Sequence, residues 1–85
     1  MERIGAALIL IENKENINRV NQILTVHSNI IIGRQGLPIR GHEAGIISLL
    51  LEGSSDQISA LTGQLGRVEG VQVKSVLLKT LNPDV

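Results

Sequence analysis

The chain has 85 residues, contains no Cys, Trp, Tyr or Phe, and balances eight Lys+Arg against eight Asp+Glu. One small domain of this length, without disulfides, needs a dense aliphatic core, an oligomeric interface or both. The missing residue types exclude a thiolate nucleophile, Cys-ligated zinc, a conventional iron–sulfur cluster and an aromatic base-stacking platform, and a formal net charge of zero gives no basic excess for nucleic acid.

Residues 4–11 read Ile-Gly-Ala-Ala-Leu-Ile-Leu-Ile. The run shows no alternation, which predicts a strand covered on both faces. Met1-Glu2-Arg3 ahead of it imitates the start of a signal peptide. Glu12-Asn13-Lys14-Glu15, however, stands where a small-residue cleavage site belongs. No apolar run is long enough for a membrane span, and the expected location is the cytoplasm. Asn13 is suited to cap a helix, with Glu15 against the positive end of its dipole. Ile17, Val20, Leu24 and His27 then mark one helical face, and the helix is expected to end near Ser28-Asn29.

Ile30-Ile31-Ile32 opens a β-branched strand that turns polar at Gly33-Arg34-Gln35. The segment Gly36 to Glu43 holds two glycines and a proline and reads as a connecting loop. Gly45 to Glu52 is again apolar on both faces. Ser54 and Gln57 fit a capping box, and Ile58, Leu61, Leu65 and Val68 give a second helical stripe. Gly66 suits a left-handed C-cap, and Gly70 turns the chain into a last strand over 71–78. One domain over 1–80 is expected, with residues 81–85 as a frayed tail.

The order strand, helix, strand, strand, helix, strand is the split βαβ arrangement. The expected fold is α+β, a ferredoxin-like βαββαβ sandwich with a four-stranded antiparallel sheet and two helices on one face. Right-handed crossovers place the first and third strands at the centre. Those are the two runs apolar on both sides, so pattern and topology agree. No element remains to cover the other face of the sheet. That predicts at least a dimer, made face to face or by pairing edges.

Candidate site residues are few. Arg34 and Arg40 bracket the central segment and Lys74 lies on the last strand; arginine forks match carboxylate or phosphate, while the competing reading is a solvated hairpin. His27 and His42 are the two histidines. With Glu43 they fall short of a metal site unless symmetry doubles them. His27 shares the helix's apolar face and reads as a packing residue. His42 reads as a solvated loop residue that joins the arginines in a ligand site. Gly63, inside the second helix, costs about 1 kcal/mol against Ala and suggests a close approach by a neighbour or ligand. No phosphate loop, dinucleotide fingerprint or Ser/His/Asp set is present.

The segments Arg34-Gln35-Gly36-Leu37-Pro38-Ile39-Arg40, Ile46-Ile47-Ser48-Leu49, Ile58 to Gly66 and Gly70-Val71-Gln72-Val73-Lys74 follow one another in this order. In them the chain resembles the small proteins named iron-only hydrogenase system regulators, from about Ile4 to Lys79. Leu61-Thr62-Gly63-Gln64-Leu65-Gly66 together with Gly70-Val71-Gln72-Val73-Lys74 is the specific part, with Gln64 where the family pattern usually has Lys. The resemblance implies an ACT-like fold, similar to the C-terminal ligand-binding domain of the nickel-responsive regulator. It also implies dimers or tetramers that sense small ligands.

The expected function is a non-enzymatic regulatory module that assembles with copies of itself and senses a small ligand or binds a regulatory protein. Arg34, Arg40, His42, Gly63 and Lys74 are its candidate ligand-binding residues. No catalytic residue, metal or cofactor is expected, and no direct contact with nucleic acid or membrane. Two alternatives are an enzyme of the dimeric ferredoxin-like barrel type and a DNA-associated regulator acting as an oligomer.

Overall fold

The computed structural model describes residues 2–80; the expected tail at 81–85 lies outside them. Strand β1 (Arg3–Ile11) leads through a 3-10 turn (Lys14–Asn16) into helix α1 (Ile17–Val26). A second 3-10 turn (Ser28–Ile30) precedes the hairpin of β2 (Ile31–Ile39) and β3 (Ala44–Gly53). Helix α2 (Ser55–Gly66) and strand β4 (Val71–Thr80) complete the fold. The sheet order is β2-β3-β1-β4, and every neighbouring pair is antiparallel. The two doubly apolar runs, β1 and β3, are the central strands, as the ferredoxin-like topology requires.

Alternation divides the sheet into two faces. Ala7, Ile9 and Ile11 of β1 join Ile47, Leu49 and Leu51 of β3 under the helices. Val20, Ile23 and Leu24 of α1 and Ile58, Leu61 and Leu65 of α2 close this core. The molecule is 17 Å across its shortest axis, which leaves room for a sheet and one helical layer. Among the described residues no element covers the second face of the sheet, so β1 and β3 are covered on one face rather than on both as expected.

Local chemistry explains the element ends. The Ser54 hydroxyl accepts from the Gln57 backbone N–H at 3.1 Å, and the Gln57 side chain accepts from the Ser54 N–H at 2.9 Å, forming the expected capping box. Asn13 caps as expected, its Oδ1 accepting from the Glu15 N–H at 2.9 Å, but it caps the 3-10 turn rather than α1 itself. Gly70 turns the chain with φ +76°, and Asn16 donates to the carbonyl of Glu69 just before it.

Four further readings are corrected. Residues 36–39 belong to β2, so the connection to β3 is a short turn over 40–43 around Gly41, φ +82°. An edge strand tolerates the glycines and Pro38, because Pro38 has no N–H to offer and only one neighbouring strand to pair with. Gly66 does not take the left-handed conformation; α2 ends as Arg67 and Val68 donate to the carbonyls of Gln64 and Leu65. Ile30 is buried in the 3-10 turn and does not open β2. On α1 the buried set is Val20, Ile23 and Leu24, while Ile17 is 36% exposed.

Candidate functional site

Two concave regions lie on opposite sides of the sheet. The first is on the helix side, at the end of the β2–β3 hairpin. A register shift between Ile31 and Gly33 decides its chemistry. Simple alternation from Ile31 would turn residue 34 to the uncovered face. The bulge adds one step, and Arg34 comes to lie opposite Leu49, on the side of the core. There its Nη2 donates to Asn21 Oδ1 on α1 at 2.7 Å. Arg34 and Asn21 border an open cleft of about 300 Å³, with Lys14 in the 3-10 turn before α1 and Ile11, Ile17 and Ile47 along its floor. Gly36, Pro38 and Gly45 form the wall toward the hairpin.

The second region is the uncovered face. Leu8, Leu37, Leu50, Val76 and Leu78 are each at least half exposed. The register places Leu50 and Val76 on either side of Ala6, and Ser48 and Lys74 on either side of Leu8. The small Ala6 leaves a shallow depression of about 340 Å³ bordered by Leu8, Leu50, Val76 and Lys74.

The structure separates the five candidate residues of the sequence. Arg34 lines the helix-side cleft on edge strand β2. Lys74 borders the depression on the uncovered face, on the opposite edge strand β4. Arg40 and His42 are exposed in the turn at the tip of the hairpin. Gly63 is exposed on α2, and an added Cβ would meet only Arg67 Nη1, at 4.0 Å. No close approach by a neighbouring backbone explains Gly63, against that part of the expectation. His27 is half-buried with Nε2 3.2 Å from Gln64 Oε1, which ties the end of α1 to α2. That is the packing role its spacing suggested. Among the described residues no group of three or more His, Cys, Asp or Glu gathers to hold a metal. No helix among them is long and apolar enough to cross a membrane.

Lys14, Asn21, Gly36 and Gly45 were not singled out in the sequence. The sequence offered no signal for the glycines, because Gly36 read as part of a loop and Gly45 stood at the very start of an apolar strand. Nothing in the spacing of Lys14 or Asn21 tied them to Arg34, because the bulge brings the three together.

Residues 3–75 match the family described as "TM1266-like: Iron-only hydrogenase system regulator, putative". The chain belongs to this family. A solved structure of the uncharacterized protein TM1266 from Thermotoga maritima is 40% identical, with a TM-score of 0.87 over 93% of this chain and 100% of that one. The ACT domain of the GTP pyrophosphokinase of Chlorobium tepidum is 21% identical, with a TM-score of 0.61 over 94% of this chain and 90% of that one. The C-terminal domain of MgtC from Mycobacterium tuberculosis is 11% identical, with a TM-score of 0.70 over 95% and 93%. These last two share the fold, which is ACT-like and ferredoxin-like. No curated protein sequence matches the chain.

Proposed function

We propose that the chain is a non-enzymatic regulatory module of an iron-only hydrogenase system. It works as a homo-oligomer and changes state when a small ligand or a protein partner binds. The observation that carries this reading is the uncovered sheet face, with Leu8, Leu37, Leu50, Val76 and Leu78 at least half exposed together. Apolar patches of this extent on a small domain mark contact surfaces. A four-stranded sheet with strands of this length presents roughly 600 Å² in flat projection. Side-chain relief brings that close to the roughly 800 Å² per partner of a standard interface. A second copy of the same face supplies an equally flat aliphatic partner, and Lys74 lies toward one edge rather than at the centre.

Regulation then follows from linkage. A ligand that prefers one assembly, or one arrangement within it, shifts the population toward that state. Among the described residues no acid–base or nucleophilic set lines either of these two regions, which favours a sensor over the barrel-type enzyme. The aliphatic face and the zero net charge favour protein contacts over direct DNA contacts.

Native mass spectrometry on the intact chain tests the assembly. An even-numbered species at micromolar concentration is expected. Leu50→Glu places a charge at the centre of the face and should release folded monomers. A monomeric wild type overturns the reading. In cells, deletion of the gene should change hydrogenase activity, and unchanged activity removes the regulatory role.

A further inference from the structure

Two glycines on the wall of the helix-side cleft have no role in the fold. Among the described residues, positive φ is confined to Gly41 and Gly70, so Gly36 and Gly45 are not needed for backbone freedom. Crowding does not demand them either. A Cβ on Gly36 would come no closer than 3.8 Å to Ile47 Cγ1, and one on Gly45 no closer than 3.7 Å to the Leu37 carbonyl oxygen. Gly5 and Gly53 differ, because a Cβ on either would fall 2.9 Å from a neighbour. Glycine weakens a strand interior and otherwise marks a place where a backbone or a ligand comes close. At Gly36 and Gly45 the neighbouring backbone stays at ordinary contact distance from an added Cβ, 4.0 Å for the Ile46 carbonyl oxygen and 3.7 Å for that of Leu37. Their missing side chains instead keep the cleft of about 300 Å³ open.

The lining states what would fill that space. The floor is aliphatic, from Ile11, Ile17 and Ile47. The two charged groups on the border, Lys14 and Arg34, are both cations, and no Asp or Glu lines the cleft among the described residues. Asn21 fixes the Arg34 guanidinium at 2.7 Å, which leaves its other N–H groups for an anion. Glu12, Glu15 and Glu69 gather around a separate depression. An ammonium group in the cleft would therefore meet two like charges and no carboxylate, and that discriminates against it. A cleft of about 300 Å³ suits a small molecule.

We infer that the cleft binds a small aliphatic carboxylate without an ammonium group, its head on Arg34 and Lys14 and its aliphatic tail over Gly36 and Gly45. This rests on the ligand-sensing part of the function proposed above and names the ligand class. The Arg34 fork matches a carboxylate, and the aliphatic floor rewards a tail that inorganic phosphate lacks.

The test is an amide-shift NMR titration of the full chain with isocaproate, free leucine, isohexanol and inorganic phosphate. Isocaproate should shift the Gly36 and Gly45 amides saturably. Leucine keeps the tail and adds an ammonium, isohexanol keeps the tail without charge, and phosphate has charge without a tail. Each should bind about tenfold or more weakly than isocaproate. Arg34→Gln should weaken isocaproate by a similar factor. Gly36→Val fills the cleft and should abolish the shifts, while the amide spectrum of β1 and α2 stays that of the folded protein. Leucine binding as tightly as isocaproate overturns the inference. So does an absence of saturable shifts at millimolar isocaproate, or shifts that survive Gly36→Val in a folded protein. Native mass spectra of the same samples separate the two readings. An oligomer that ignores isocaproate removes this ligand class and leaves the assembly standing, and a monomer that binds it does the reverse.

Discussion

The two faces of the sheet are made of the same aliphatic residues, and they differ in what covers them. On β1, Ile9 is 0% exposed beneath the helices while its neighbour Leu8 is 50% exposed. On β3, Leu51 and Leu50 differ in the same way, at 0% and 56%. Composition therefore does not distinguish the covered face from the uncovered one in this molecule. The helices distinguish them by covering one face. Burial energy on that face is gained when the chain folds. On the other face the aliphatic side chains stay exposed in the single chain.

Adjacent substitutions on one strand test this contrast most directly. Leu51→Ala should lower the unfolding free energy by about 2–5 kcal/mol, through lost transfer energy and the cavity left behind. Leu50→Ala should change monomer stability by only about 0.5 kcal/mol while weakening assembly. Urea unfolding at a concentration low enough to keep monomers, alongside native mass spectra, separates the two effects. Equal losses at both positions would mean that the uncovered face is already buried within the folded unit.

The strand glycines sharpen the same comparison. A Cβ on Gly5 falls 2.9 Å from the Val76 carbonyl oxygen, between two paired strands that cannot easily part. Gly5→Ala should cost about 1–3 kcal/mol. Gly36→Ala has open space ahead of it and should be neutral or stabilise by up to about 1 kcal/mol through the unfolded chain. Thermal melts of the pair decide between a packing glycine and a cleft glycine.

Smaller effects concern the covering layer and the uncovered edge. Ser54→Ala removes half of the α2 capping box and should cost about 1 kcal/mol in urea unfolding. Lys74→Ala touches an exposed residue on β4 and should stay within about 0.5 kcal/mol of wild type in the same assay.

Much of this architecture was legible because apolar pattern marks strands and helix faces. The runs at 4–11 and 45–52 marked strands aliphatic on both sides, and the topology left them the centre of the sheet, but only one side of each is covered, with Leu8 and Leu50 half exposed on the other. The Ser54 and Gln57 pair marked the start of α2 by its own hydrogen-bonding chemistry. The misread stretch was Gly36-Leu37-Pro38, whose residues usually end a strand. At an edge they continue it, because an edge strand needs a neighbour on only one side.

Site residues were harder to read for a related reason. Arg34 and Lys74 look equivalent as exposed cations on edge strands, yet the sheet separates them onto opposite faces. The face that Arg34 serves depends on a bulge between Ile31 and Gly33, and no pattern of charge announces a bulge. Asn21 and Lys14 become its neighbours only after that shift.

The bulge also bears on how relatives should be aligned. With period two, one residue gained or lost between Ile31 and Arg34 exchanges the surroundings of everything after it on β2. Removing that extra residue would carry the guanidinium out among the exposed leucines and turn Leu37 toward the cleft. Two relatives with an identical arginine in the alignment column can thus present it to different solvents. The spacing of the segment, rather than the identity of the basic residue, is then the trait to compare across species when asking which of them keep a charged border to the cleft.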